Sequence, residues 1–233
     1  MCATQPLPHL SMYQITARLL THVHHSVVRS LGEKALPFFA AGVQEFGYER
    51  TYLIASKASA EGEEQHILHD FLPKNFHVEE FEETKPDIYP WMAQLFARVT
   101  KQIVDRYGDA GKNAVREGVR TFGESRGKGI AERAAHLGYE NTIEHYLSNY
   151  DMGRSELFEF ETIHFPERIE QTFTRCPFGE QWAKDDMHEY GILYCEMIDP
   201  SIAKGYNPQF DVEHDQYVLR EGVCHFHFNL KKN

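Results

Sequence analysis

The sequence predicts an α+β protein whose helical N-terminal two-thirds packs on a C-terminal antiparallel sheet. Apolar residues recur at helical spacing until about residue 138, and after Gly153 the period changes to two. We find no internal repeat and no low-complexity linker. We therefore expect a single domain over residues 1–233, with a mainly helical part (about 1–152) and an α+β part (about 153–233) that carries most of the cysteines.

Four long helical segments are predicted by the spacing of their apolar residues, at Leu10–Leu31, Leu36–Ser56, Ile88–Gly108 and Ala110–Gly138. A shorter helix is expected within 59–73, ended by Pro73, and an acidic loop over 74–85. The fourth long segment contains Gly118, Gly123, Gly127 and Gly129. Glycine costs a helix up to about 1 kcal/mol, so we expect a neighbouring element or a ligand to come close there.

The C-terminal part begins with two alternating segments, residues 156–165 and 168–176, which meet at Pro166-Glu167 and predict a β-hairpin. Two short helices are expected near 178–185 and 187–198. Strand character returns in three segments, at 209–214, 216–221 and 223–230.

The composition excludes some classes of partner. Lys and Arg number 24 against 35 Asp and Glu, a formal charge of −11, which disfavours a nucleic-acid backbone or an anionic membrane. No apolar run is long enough for a membrane span, and the start has no signal-peptide pattern. Four cysteines without close pairing do not make a disulfide framework. These features predict a cytoplasmic protein.

Cys176 directly precedes Pro177, and a residue before proline avoids helical geometry. If Pro177 opens a helix, Cys176 is its N-cap, where the helix dipole lowers a thiol's pKa. A half-buried cysteine that closes a strand explains the pattern equally well, because no base is visible nearby in the sequence.

Cys195 belongs to a possible stripe with His188, Ile192 and Asp199 on one helix face. A base, a thiol and a carboxylate would then lie along one side. The alternative is a core cysteine, with Asp199-Pro200 beginning a further short helix closed by Gly205.

Cys224 alternates with Phe226 and Phe228, which predicts that it points inward, while His225 and His227 share the other face. The H-x-H spacing suits a metal, and a solvated strand face explains it as well. If Cys176, Cys195 and Cys224 converge, zinc or another divalent metal could bind them with Glu196 or Asp199 as fourth ligand. If only one or two of them line a cavity, thiolate catalysis is favoured. No cofactor is therefore assigned from the sequence.

The order of three motifs resembles the L-2-amino-thiazoline-4-carboxylic acid hydrolase family: "RCPFGEQW", "LYCEMIDPSIAKGYNP" and a Gly-x-Cys-x-Phe strand. The helix "FGESRGKGIAERAA" is also similar to that family's upstream helix. The resemblance covers about Val115 to Leu230, and its motif positions here are Cys176, Cys195, Asp199, Asn207 and Cys224.

The resemblance implies a hydrolase that opens a small C–N heterocycle, a thiazoline or a related cyclic amide or amidine, by cysteine-assisted catalysis. The family's named activity converts the aminothiazoline acid to N-carbamoyl-cysteine. A small heterocyclic substrate is the implied partner, and a homo-oligomer is left open.

Roles for individual residues follow as hypotheses from this resemblance. Cys176 is the first choice of nucleophile and Cys195 the second, with Cys224 also at the site. Asp199 or His188 would transfer protons. Three further residues are expected to bind substrate: Asn207, Arg175 and Arg126.

The C-terminal end also resembles, more faintly, the vinyl-reductase-type ligand-sensing domains. That resemblance implies an alternative, a small-molecule binding module with a structural metal held by cysteines and no turnover.

Overall fold

The computed structural model describes residues 5–76, 87–153 and 155–230, so most of the predicted loop at 74–85 lies outside the described residues. The chain divides into two compact units. The first contains residues 1–10, 120–176 and 194–233, and the second contains 11–119 and 177–193. The expectation of a single domain stays a prediction.

The α+β class is confirmed. Helices precede the sheet along the chain, and three more lie between its strands: α1 Met12–Leu31, α2 Leu36–Phe46, α3 Tyr48–Ala60, α4 Ile88–Tyr107, α5 Asp109–His136, α6 Ile143–Ser148, α7 Pro177–Lys184, α8 His188–Tyr206 and α9 Val218–Glu221. The strands are β1 Glu159–Phe165, β2 Arg168–Arg175, β3 Phe210–Gln216 and β4 Cys224–Leu230. None of the helices in the described ranges combines the length and apolarity that crossing a bilayer requires.

The second unit is helical and is built around buried apolar faces of α1, α2 and α4. Helix α1 begins with a capping box, in which the Ser11 hydroxyl accepts from the Gln14 N–H and the Gln14 side chain accepts from the Ser11 N–H. Trp182 of α7 is fully buried, and its indole N–H donates to the Ala93 carbonyl of α4 at 2.8 Å. That bond satisfies the one polar atom of the largest side chain in this core.

Two predictions in this unit are corrected. The segment 36–56 is two helices, because the backbone at Gly47 takes φ +113°, which ends α2 and precedes α3. In the segment 59–73, the first two residues end α3, and after them only a short 3-10 helix forms, over Leu68–Phe71.

The first unit contains a four-stranded antiparallel sheet in the order β1-β2-β4-β3. The predicted hairpin is its β1–β2 pair. The inner face is aromatic: Tyr146 of α6 lies against Tyr206, Phe210 and Phe228, with ring centroids 5.1–5.6 Å apart. These four side chains are buried and join α6, α8 and the sheet in one core.

Three further corrections concern the same unit. Residues 216–221, predicted as a strand, end β3 and form the short helix α9. Helix α6 was not predicted. The break expected at Asp199-Pro200 does not occur, because α8 continues through Pro200 to Tyr206. Pro200 lacks an N–H and is held inside the helix by tertiary packing.

Within this unit, α5 and α8 are in direct contact through their backbones. A methyl group at Gly127 would overlap the Ile202 carbonyl and the Tyr206 N–H, and one at Gly205 would overlap the Glu124 carbonyl. The close approach expected from the glycines of the fourth long segment is therefore confirmed for Gly123 and Gly127, where the neighbouring element is α8. Gly118 instead meets Val23 of α1, and no close approach occurs at Gly129.

Replacing Gly127 by alanine is expected to lower the free energy of unfolding by at least about 2 kcal/mol, because backbone must move to admit the methyl group. Gly129→Ala on the same helix is the matched control. A methyl group at Gly129 meets no atom within 4 Å, so it should raise stability by about 0.5–1 kcal/mol. Urea denaturation followed by circular dichroism measures both, and equal effects would contradict the backbone contact.

Candidate functional site

Three cysteines among the described residues belong to the first unit. Cys176 follows β2 and precedes Pro177, the first residue of α7, Cys195 lies in α8, and Cys224 opens β4. Cys195 and Cys224 are buried, whereas Cys176 is partly exposed. Cys224 is buried together with Phe226 and Phe228, as the alternation predicts.

The thiols of these cysteines lie close enough to influence each other's ionisation. Burial, and then the neighbouring Cys176 and Cys224, raise the pKa of Cys195 well above its usual value. Burial also raises the pKa of Cys224 to about 12, although the Val218 N–H donates to its sulfur at 3.2 Å. Cys195 and Cys224 are therefore neutral thiols near pH 7, which makes them weak nucleophiles.

Asp199 follows Cys195 by one helical turn and lies on the same face of α8. The Asp199 side chain is partly exposed, and desolvation raises its pKa to about 6 even though Arg126 opposes the shift. A carboxyl with this pKa is present in both protonation states near neutral pH, as a general acid or base requires. We call Cys176, Cys195, Cys224 and Asp199 the thiol–carboxyl cluster.

Arg126 of α5 is buried and bound by a residue that the sequence analysis did not single out. Its Nε donates to Asp151 Oδ2 at 2.9 Å and its Nη2 donates to Asp151 Oδ1 at 2.5 Å. Both residues are about 4% exposed, so the pair is a bidentate internal salt bridge. Asp151 occupies the edge of the guanidinium that would suit a substrate carboxylate, and the binding role of Arg126 stays a prediction.

The other predicted residues lie in more polar surroundings. His188 opens α8 in the second unit and lies 3.8 Å from Asp186. Arg175 ends β2, 4.0 Å from Glu159. Asn207 donates to the Asn141 carbonyl at 2.8 Å and accepts from the Gln209 N–H at 2.9 Å. The amide of Asn207 thus connects backbone segments, and the catalytic and binding roles of these residues remain predictions.

His214 of β3 is a further candidate that sequence reasoning missed. Burial lowers its pKa to about 4, although the nearby main chain of Gln216 and Cys195 and the Asp215 carboxylate oppose the shift. A neutral imidazole therefore lies beside the main chain of Cys195. The alternation in β3 was the available signal, because it places His214 on the face of the buried Phe210.

The residues that gather at metal-ligand separation within 5–76, 87–153 and 155–230 are Glu170, His225 and His227, not the three cysteines. The expectation of a zinc or other divalent site at the cysteines therefore gains no support from this geometry. The thiol–carboxyl cluster instead has the donors of nucleophilic and acid–base chemistry.

The fold and site define an α+β protein with a partly buried carboxyl and three thiols in one unit, next to two glycine-packed helices. A family model described as L-2-amino-thiazoline-4-carboxylic acid hydrolase matches residues 88–228. This is more than half of the chain and includes the whole cluster, so the chain belongs to that family. The family description indicates a hydrolase of a thiazoline carboxylate. Comparisons with the curated proteins and with the solved structures found no match.

The raised pKa of Asp199 predicts a stability effect with a defined sign. The folded state holds the proton more tightly than the unfolded state, so this stabilisation is present at low pH and is lost as the pH rises from about 4 through about 6. In Asp199→Asn, the free energy of unfolding relative to wild type should therefore increase over that interval by about 1–3 kcal/mol and stay constant above it. Urea unfolding at several pH values measures the difference, and a difference independent of pH would contradict the shift.

Proposed function

We propose that this protein is a hydrolase that opens a small ring with a C–N linkage, a thiazoline or a related cyclic amide or amidine, with assistance from a cysteine thiol. The observation that carries the proposal is the thiol–carboxyl cluster: three thiols and a carboxyl with a pKa of about 6 come together within the stretch matched by the hydrolase family.

Cys176 is the proposed nucleophile. It is the most exposed of the three thiols, and the pKa values of Cys195 and Cys224 are raised by burial, which disfavours them as thiolates. It also precedes α7, so the position predicted for a thiol near the start of a helix is consistent with the structure.

The chemistry can be written for an aminothiazoline ring. The Cys176 thiolate adds to the ring carbon that lies between sulfur and nitrogen, and the ring nitrogen takes a proton. Collapse of the adduct breaks the bond from this carbon to the ring sulfur, which leaves as a thiol, and the carbon stays on the enzyme sulfur. Water then adds to the carbon and releases Cys176, giving an N-carbamoyl product with the overall addition of one water.

Asp199 is the proposed proton carrier in these steps. As a carboxylate it accepts a proton from water, and as an acid it donates one to the ring nitrogen or the leaving sulfur. A pKa of about 6 supports both roles near neutral pH. We keep Cys195 as the second candidate nucleophile, and Cys224 and His214 as neighbours that shape the polarity of the cluster.

Separate serine substitutions test this assignment. Cys176→Ser should lower kcat/KM for aminothiazoline hydrolysis on the order of 10³-fold, because a serine hydroxyl is not ionised at this position. Cys2→Ser is the matched control, since Cys2 lies outside the family match, and it should leave the rate unchanged. Loss of activity in Cys195→Ser alone would reassign the nucleophile, and full activity in both variants would exclude thiol catalysis.

Thiol alkylation separates the enzyme from the alternative binding module. One thiol, expected to be Cys176, should react with iodoacetamide at pH 7 much faster than the other two, as peptide mass spectrometry can show. A module with a metal held by the cysteines would instead protect all three thiols until a chelator removes the metal. Uniformly slow alkylation without metal would argue against both readings.

A further inference from the structure

The outer face of the sheet carries imidazoles and carboxylates in adjacent rows. His227 of β4 is paired in register with Glu170 of β2 on one side and with Glu213 of β3 on the other. His225 lies two residues earlier on the same face, opposite the inward side that carries Cys224. This surface is therefore distinct from the thiol–carboxyl cluster, although the same strand contributes to both.

The ligand atoms on this face lie near the separations of a bound metal. One atom from each of Glu170, His225 and His227 lies within 4.8 Å of the others. Bonds of 2.0–2.2 Å at tetrahedral angles separate two zinc ligands by about 3.4 Å. The distance from His227 Nδ1 to Glu170 Oε1 is 3.3 Å, which matches the spacing of two zinc ligands.

Asp215 lies beside both imidazoles and is within hydrogen-bond distance of His225. His225 Nδ1 lies 2.8 Å from Asp215 Oδ1, and His227 Nε2 lies 4.0 Å from Asp215 Oδ2. A carboxylate behind an imidazole fixes its tautomer and leaves the other nitrogen for a metal. Asp215 lies at the β-bulge of β3, which breaks the pairing register between His214 and Gln216 and brings an extra side chain to this face.

The Nδ1 atom of His227 gives independent support for a ligand at this face. Its Nδ1 is buried and makes no hydrogen bond to any residue within the described ranges, although Glu170 faces it. A buried polar atom left without a hydrogen bond is costly, and coordination to a metal would satisfy it. The three side chains are about one-fifth exposed, so an ion can reach them from solvent.

One positive group competes for the carboxylate. Arg168 Nη2 lies 2.6 Å from Glu170 Oε1, and the Arg168 side chain is 44% exposed. A cation at Glu170 must displace this guanidinium or share the carboxylate with it. Because the arginine is partly exposed, it can move into solvent when a cation binds, but breaking its ion pair with Glu170 lowers the affinity for the cation. A substitution at Arg168 therefore gives a second test of the site.

We propose that Glu170, His225 and His227 form a zinc site on the outer face of the sheet, with Asp215 as the carboxylate that positions the imidazoles. Two imidazoles and one carboxylate are a ligand set that zinc accepts with a water in the fourth position. The ion would connect β2 to β4. The net charge of −11 favours cation binding generally. This site does not depend on the proposed hydrolase activity.

Zinc binding is measured on the full chain without an affinity tag, by isothermal titration calorimetry and by the shift in melting temperature. The expected result is one equivalent per chain with a raised melting temperature. His227→Gln and Glu170→Gln should each weaken binding on the order of 100-fold, and Asp215→Asn by about 10–100-fold. Arg168→Ala should tighten binding by about fivefold, because it removes the competing charge.

His164→Gln is the matched control, since His164 is an exposed strand imidazole of β1 outside the group. It should bind zinc like wild type. Circular dichroism confirms that each variant is folded, and Arg168→Ala keeps all three ligands should a ligand variant unfold.

Cobalt substitution identifies the ligands directly. Co²⁺ bound to nitrogen and oxygen should give visible d–d bands without the thiolate charge-transfer band in the near ultraviolet. A thiolate band lost in Cys195→Ser would place the metal at the cysteines and overturn the proposal. Absence of stoichiometric zinc binding, or undiminished binding in His227→Gln, would mean that these side chains form only a histidine–carboxylate ion-pair network, and would also overturn it.

Discussion

The backbone contact between α5 and α8 in the first unit is the constraint on which the candidate site depends. Gly127 and Gly205 leave no side chain between the two helices at the crossing, so the separation is set by main-chain atoms. Arg126 directly precedes Gly127, and Asp199 lies on α8 within the field of its guanidinium. The glycines therefore set how closely the two backbones that carry Arg126 and Asp199 approach each other.

The two carboxyl groups near Arg126, those of Asp151 and Asp199, respond differently to its positive charge. Asp151 receives both hydrogen bonds of the guanidinium edge, which compensates the burial of each partner. Asp199 feels the same positive charge, but desolvation outweighs it, and the carboxyl keeps its proton to about pH 6. Asp151 therefore pairs with the arginine, whereas Asp199, exposed to the same positive charge, has a raised pKa because desolvation acts on it more strongly.

The fold was predictable where local signals agree with the tertiary structure. Period-two alternation predicted the β1–β2 hairpin and the inward direction of Cys224. Glycines in α5 predicted that another element comes close to this helix. Pro200 misled, because the packing of α8 in its unit overrides the preference of proline for a helix start. Asp151 could not be selected, because its importance comes from a contact with Arg126, 25 residues away in sequence. Alternation in β3 gave the face on which His214 lies, but not its neighbour Cys195, 19 residues away. Likewise, the H-x-H pair was visible, but Glu170 joins it only through the β2–β4 register.

Strand β4 carries two different chemistries because successive side chains point to opposite faces. Its inner side offers a neutral thiol at Cys224, and its outer side offers the imidazoles of His225 and His227. Ring stacking between Phe173 and Phe226, with centroids 5.5 Å apart, fixes the register of β4 against β2 on the inner side. A ligand on the outer face that favours this same register adds its binding free energy to the stability of the sheet without displacing Cys224. The stability of the sheet and the environment of the Cys224 thiol can therefore change independently, as long as the stacking of Phe173 on Phe226 keeps the register of β4 unchanged.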